Sequence, residues 1–129
     1  MPLTPVISIV DDDHSVRAGT TDLVEAMGFD AATFQRAEDF LDSCSLDSTS
    51  CVIADVQMLG MTGLELYDRL VTSGKAIPTI LITAVPRKED QVRALRSGVV
   101  AYLTKPFTDS ELFFCIQRAL GRRNADTTR

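Results

Sequence analysis

The stretch "PVISIVDDDHSV", residues 5–16, runs almost entirely apolar through Val10 and then sets three aspartates, Asp11, Asp12 and Asp13, side by side. A short Val/Ile-rich run of this kind reads as a strand buried on both faces, the habit of a parallel sheet rather than of a half-wetted antiparallel one. Its end is electrostatically unfavourable, because neighbouring carboxylates repel and a partly buried one without a partner is driven to take up a proton. A positive charge is therefore expected at the mouth of this strand.

Four further apolar runs come at fairly even spacing: FDAATF (29–34), CVIA (51–54), IPTILIT (77–83) and VVAYL (99–103). FDAATF is the most mixed and suits an edge strand. Helical spacing fills the intervals. Val16, Thr20, Leu23, Val24 and Met27 share one face of a first helix that Gly28 stops. Thr62 and Glu65 form a capping box for a third helix, and Thr108 and Glu111 form one for a fifth that runs to Gly121. The fourth, RKEDQVRALRSG, has so little apolar content that it is either a moving part or an ordinary solvated helix. Pro86 is expected to begin it. Strand and helix in alternation specify an α/β fold with a parallel sheet, doubly wound, whose ligand sits past the carboxyl ends of the strands.

A length of 129 residues, 45% of them hydrophobic, suits one domain, taken as residues 1–121 with 122–129 as a polar tail or the start of a linker. The net charge of −5 argues against direct binding of nucleic acid or an anionic membrane. Cys44, Cys51 and Cys115 are too scattered, with one histidine in the chain, for a zinc framework, and are expected to be small buried hydrophobes in a reducing cytoplasm. No run approaches the roughly 18 apolar residues of a membrane span.

The strand ends carry one chemistry. The first strand ends in Asp11-Asp12-Asp13, the third in Asp55 and the fourth in Thr83, while the fifth leads through Thr104 to Lys105-Pro106. Any one of these could be a turn or cap residue; together they converge on a single rim. Clustered carboxylates without His or Cys favour Mg²⁺, which takes one or two carboxylates and a phosphate oxygen. A lysine and a hydroxyl aimed at the same place would hold the other oxygens of a phosphoryl group, leaving one carboxylate as nucleophile.

With Asp11-Asp12, Asp55 in "DVQMLGMTG", Thr83 in "ILITA" and Lys105 in "YLTKPF", the chain resembles the receiver domain of bacterial two-component response regulators from about residue 5 to residue 120. The segments "FQRAEDFLDS" and "GVVAYLTKPF" look most like receivers joined to a LuxR-type helix-turn-helix, as in nitrogen-fixation regulators. The resemblance implies a flavodoxin-like sheet of order 2-1-3-4-5 and a phospho-accepting role for Asp55, supplied by a sensor histidine kinase or phosphotransfer protein. It implies that Asp12, Asp55 and the Gln57 carbonyl bind Mg²⁺, with Asp11 acting through a water. Lys105 would pair with the phosphoryl group, placed by a cis peptide to Pro106, and Thr83 would bond a phosphoryl oxygen. Tyr102 would report the state by rotamer, although its hydroxyl could equally just be wet. Output would be a changed surface on helix four, strand five and helix five, a face for homodimers, controlling transcription through another domain. The chain would then be a fragment or a single-domain regulator, aiding its own phosphorylation and dephosphorylation without being a classical enzyme.

Two features stand apart. Leu59 occupies the position where the family normally carries proline. Asp13 has no role in the pattern and is expected to cap the first helix, with His14 on its surface. The alternative of another class is a Mg²⁺-dependent phosphohydrolase of haloacid dehalogenase type, in which Asp11 of the D-x-D in "DDDHS" would be the nucleophile.

Overall fold

In the computed structural model, the backbone is described for residues 4–127 and side chains through Gly121; residues 1–3 and 128–129, at the ends of the expected domain and tail, lie outside it. The strands are β1 (Val6–Val10), β2 (Asp30–Phe34), β3 (Thr49–Asp55), β4 (Thr79–Thr83) and β5 (Ala101–Thr104). The helices are α1 (His14–Ala26), α2 (Ala37–Leu41), α3 (Gly63–Thr72), α4 (Lys88–Ser97) and α5 (Asp109–Thr127). All pairings are parallel, in the order β2-β1-β3-β4-β5, so the β1/β3 boundary is where the winding reverses.

Alternate residues of the central strands feed two cores. Ile7, Ile9, Ile53, Ile80 and Ile82 face Val24 of α1 and Leu112 and Ile116 of α5. Val10, Val52, Ala54 and Leu81 face Phe40 of α2, Leu66 and Leu70 of α3 and Ala94 of α4. Each fully buried aliphatic side chain contributes roughly 1.5–3 kcal/mol, which is why the sheet is the rigid part from which the site projects. On α4 only Ala94 is buried, in line with its polar sequence.

Local chemistry sets the element ends. Asp13 caps α1 by accepting the Val16 N–H, and both capping boxes form, Thr62 with Glu65 and Thr108 with Glu111. Gly28, after α1, has φ 93° and Gly98, ending α4, has φ 111°, the left-handed conformation that favours glycine. Three expectations change. Pro86 precedes rather than begins α4, because Arg87 is still extended and serves as the cap of a helix starting at Lys88. Gly121 does not stop α5: it is outside the left-handed region, and the backbone helix continues to Thr127 through the residues expected as tail. The second helix forms as expected, but as a single five-residue turn followed by a 3-10 turn, Cys44–Ser48. Of the cysteines, Cys51 and Cys115 are buried but Cys44 is exposed.

Gly63 sets how closely α3 approaches the sheet. A Cβ there would stand 2.5 Å from the Asp55 carbonyl oxygen and 3.0 Å from Leu81 Cδ2, so only glycine lets α3 start against the end of β3. Gly63→Ala is expected to lower stability by about 2 kcal/mol through overpacking against backbone that cannot move aside. Urea unfolding checks this, and an unchanged midpoint would show that the start of α3 can shift freely.

Candidate functional site

The carboxyl ends of β1, β3 and β5 bring Asp11, Asp12, Asp55 and Lys105 to one point. One carboxylate oxygen from each aspartate lies within 4.8 Å of the others. Lys105 Nζ donates to Asp55 Oδ2 at 2.6 Å and to Asp11 Oδ2 at 3.3 Å, supplying the positive charge that the triple aspartate required. The Lys105–Pro106 peptide is cis. Lys105 N–H donates to the Thr83 carbonyl at 2.7 Å, which ties the ends of β4 and β5 together behind the lysine.

The electrostatics follow burial. Asp11 is fully buried, and desolvation raises its pKa above the ordinary value, opposed by the Asp13 N–H and by the charge of Lys105 and reinforced by Asp55. For Lys105, burial acts to lower the pKa, but the bonds to Asp55 and the charges of Asp11 and Asp55 outweigh it and leave the ammonium above its ordinary value. Lys105 is thus charged throughout the neutral range.

Main-chain donors orient the acids. Asp13 N–H donates to Asp11 Oδ1 at 2.9 Å, Gln57 N–H to Asp55 Oδ1 at 2.9 Å, and Leu59 N–H to Asp12 Oδ2 at 3.1 Å. Arg17 Nη1, one turn into α1, donates to the Asp11 carbonyl at 2.8 Å and so pins the β1–α1 loop. Sequence reasoning missed Arg17, since an arginine on a surface helix carries no signal of its tertiary partner. It also missed Glu38 of α2, whose Oε2 lies 3.1 Å from where a Cβ on Gly60 would stand.

Thr83 is fully buried at the end of β4, and its hydroxyl accepts the Val85 N–H at 3.1 Å, tying the strand end to the β4–α4 loop in this conformation. Tyr102 lines a cavity of about 510 Å³ between α3 and α4, with Gln57, Thr62, Leu81 and Arg87 among its walls. Its hydroxyl is buried and has no hydrogen-bond partner among the described residues.

The family model for the response regulator receiver domain matches residues 7–117. This chain belongs to that family. The receiver is 35% identical over 127 residues to nodulation protein W of Bradyrhizobium diazoefficiens, covering 95% of this chain and 56% of the relative. It is 33% identical to the transcriptional regulatory protein FixJ of the same organism, covering 88% and 56% of the two chains. Among solved structures, response regulator StyR superposes with a TM-score of 0.84 at 35% identity, over 98% of this chain and 66% of that one. The chain thus spans a little over half the length of the curated relatives it matches. Its expected sheet order and helices are those of a receiver. The dehalogenase alternative finds no support: the family model that matches is that of the receiver domain. Among the described residues, no helix is long and apolar enough to cross a membrane.

Proposed function

We propose that Asp55 accepts a phosphoryl group from a phosphohistidine on a sensor kinase or phosphotransfer protein. One observation supports this most directly: of the three acids, only Asp55 combines a carboxylate that is not fully covered, its side chain 9% exposed, with the short 2.6 Å bond to Lys105. The all-oxygen donor set fits a hard divalent ion, with Asp12, Asp55 and the Gln57 carbonyl as direct ligands and Asp11 acting through water. When bound, Mg²⁺ neutralises part of the added charge and polarises the phosphoryl oxygens.

The chain's own residues do the rest. An Asp55 oxygen attacks phosphorus, a P–O bond forms as the P–N bond to histidine breaks, and the imidazole leaves with the electron pair. Lys105 then exchanges its carboxylate partner for a phosphoryl oxygen, an interaction of the same charge-assisted kind. Thr83 releases the Val85 amide to donate its hydroxyl to another phosphoryl oxygen, and an inward Tyr102 holds the rearranged β4–α4 loop. Phosphorylation thereby selects one conformer of α4, β5 and α5. Exposed Val92 and Leu95 of α4 and Phe113 and Phe114 of α5 are suited to carry that change to a second copy of the receiver. The output is transcriptional control through a separate domain, in a cytoplasmic protein whose receiver binds no nucleic acid itself.

Incubation with Mg²⁺ and acetyl phosphate, followed by intact-mass measurement, tests this chemistry. A single phosphoryl adduct is expected in the wild type, absent without Mg²⁺ and absent in Asp55→Asn. An adduct that persists in Asp55→Asn would assign the acceptor elsewhere.

A further inference from the structure

Leu59 is 82% exposed, so whatever position 59 contributes to the site comes through its main chain. That main chain is engaged across the fold: its N–H donates to Asp12 Oδ2 at 3.1 Å, joining two segments 47 residues apart. Two residues earlier, the Gln57 N–H holds Asp55 Oδ1 at 2.9 Å. Alternate amides of one loop therefore grip the carboxylates that end β1 and β3, while Gly60, with φ 79°, turns the loop over Glu38.

We infer that the Leu59 N–H is a positioning group: it orients the Asp12 carboxylate and draws the β3–α3 loop, with its Gln57 carbonyl, toward the cation site. Asp12 is only half-buried and, unlike Asp11 and Asp55, has no bond to Lys105. Without the amide its carboxylate would rotate freely, and binding a cation would have to supply that ordering. A hydrogen bond to an ionised acceptor is the strong kind, and orienting donors behind a metal ligand typically matter tenfold or more to affinity. Proline, lacking an N–H, cannot take this role; alanine can. The loop of this receiver is thus tied by a hydrogen bond at the position where a ring would otherwise stiffen it.

This inference rests on the proposed cation site, and two measurements separate the two. In metal-free protein, the Leu59 amide should exchange with solvent at least about tenfold more slowly than an unprotected amide, and this protection should vanish in Asp12→Ala. Titration with Mg²⁺ alone, followed by amide chemical shifts, should give a dissociation constant raised about five- to tenfold in Leu59→Pro and unchanged in Leu59→Ala. A merely structural role would alter the urea midpoint of both variants without splitting their Mg²⁺ affinities. Fast exchange at Leu59 in the wild type, or equal affinity in the proline variant, would overturn the inference. Slow exchange in a wild type that binds no Mg²⁺ would instead sustain the amide contact and overturn the cation site. If Leu59→Pro does not fold, the exchange experiment decides alone.

Discussion

Lys105→Ala is expected to destabilise the metal-free receiver by about 2–3 kcal/mol near neutral pH, below the 3–5 kcal/mol typical of breaking a fully buried pair. The reduction reflects the lysine side chain, which is 17% exposed, although Asp11 beneath it is completely buried. Its removal leaves Asp11, completely buried in the wild type, without a counter-charge and beside a second carboxylate. The sign of the pH dependence comes from the two shifts. Lys105 has a raised pKa, so its stabilisation is complete below its ordinary value of 10.5 and is lost only as pH rises through the still higher folded value. Asp11 is also raised, above its ordinary 3.8, and without Lys105 it rises further, so the variant recovers stability by binding a proton as pH falls. The gap between variant and wild type should therefore be widest between these limits and should narrow toward acid. Urea unfolding in a chelator at about pH 8 and about pH 5 measures it. A gap independent of pH would mean that Lys105 acts through packing of its aliphatic stem. Added Mg²⁺ should also narrow the gap by binding the folded variant.

Phe40→Ala is expected to have the largest effect on stability, about 3–5 kcal/mol, a large share of the 5–15 kcal/mol that holds a typical domain together. Phe40 is fully buried, and its ring meets that of Phe34 edge-on at 5.3 Å with an interplanar angle of 61°. The five-residue α2 has no side-chain cap and too few turns to persist alone, so this one anchor largely decides whether it forms. Losing it would also unseat Glu38, which sits on α2 beneath the loop that presents Gln57 and Leu59. Thermal and urea unfolding of Phe40→Ala and Phe40→Leu check this. The leucine variant should lose less than about half as much, because most of the volume stays filled. Equal losses would place the stabilisation in the aromatic pair rather than in the filled space.

The same physics explains which parts of the molecule were readable in one dimension. Strand runs, the two capping boxes and the Asp13 cap are local: each depends on residues within a turn or a pleat of one another, and the side chains announce it. Asp55 and Lys105 were legible as strand-end groups because parallel βα units deliver those ends to one rim whatever the loops do. Helix ends were less legible. Gly121 has the residue type of a stop but lacks the left-handed conformation, and Pro86 has the residue type of a helix start but precedes an extended Arg87.

Sequence by itself therefore determined the α/β class, the order of strand and helix, and which carboxylates and which lysine face the rim. Tertiary structure decided the rest: the 2.6 Å bond that makes Lys105 the partner of Asp55, the grip of Arg17 on the Asp11 carbonyl and of Leu59 on Asp12, the burial of the Tyr102 hydroxyl, and the seating of α2 on Phe40. The physical reason is that two of these contacts are made by a main-chain N–H or carbonyl, which nearly every residue carries alike, so they leave no mark in the letters. The others depend on distances between segments tens of residues apart, which exist only once the sheet has brought the strand ends together.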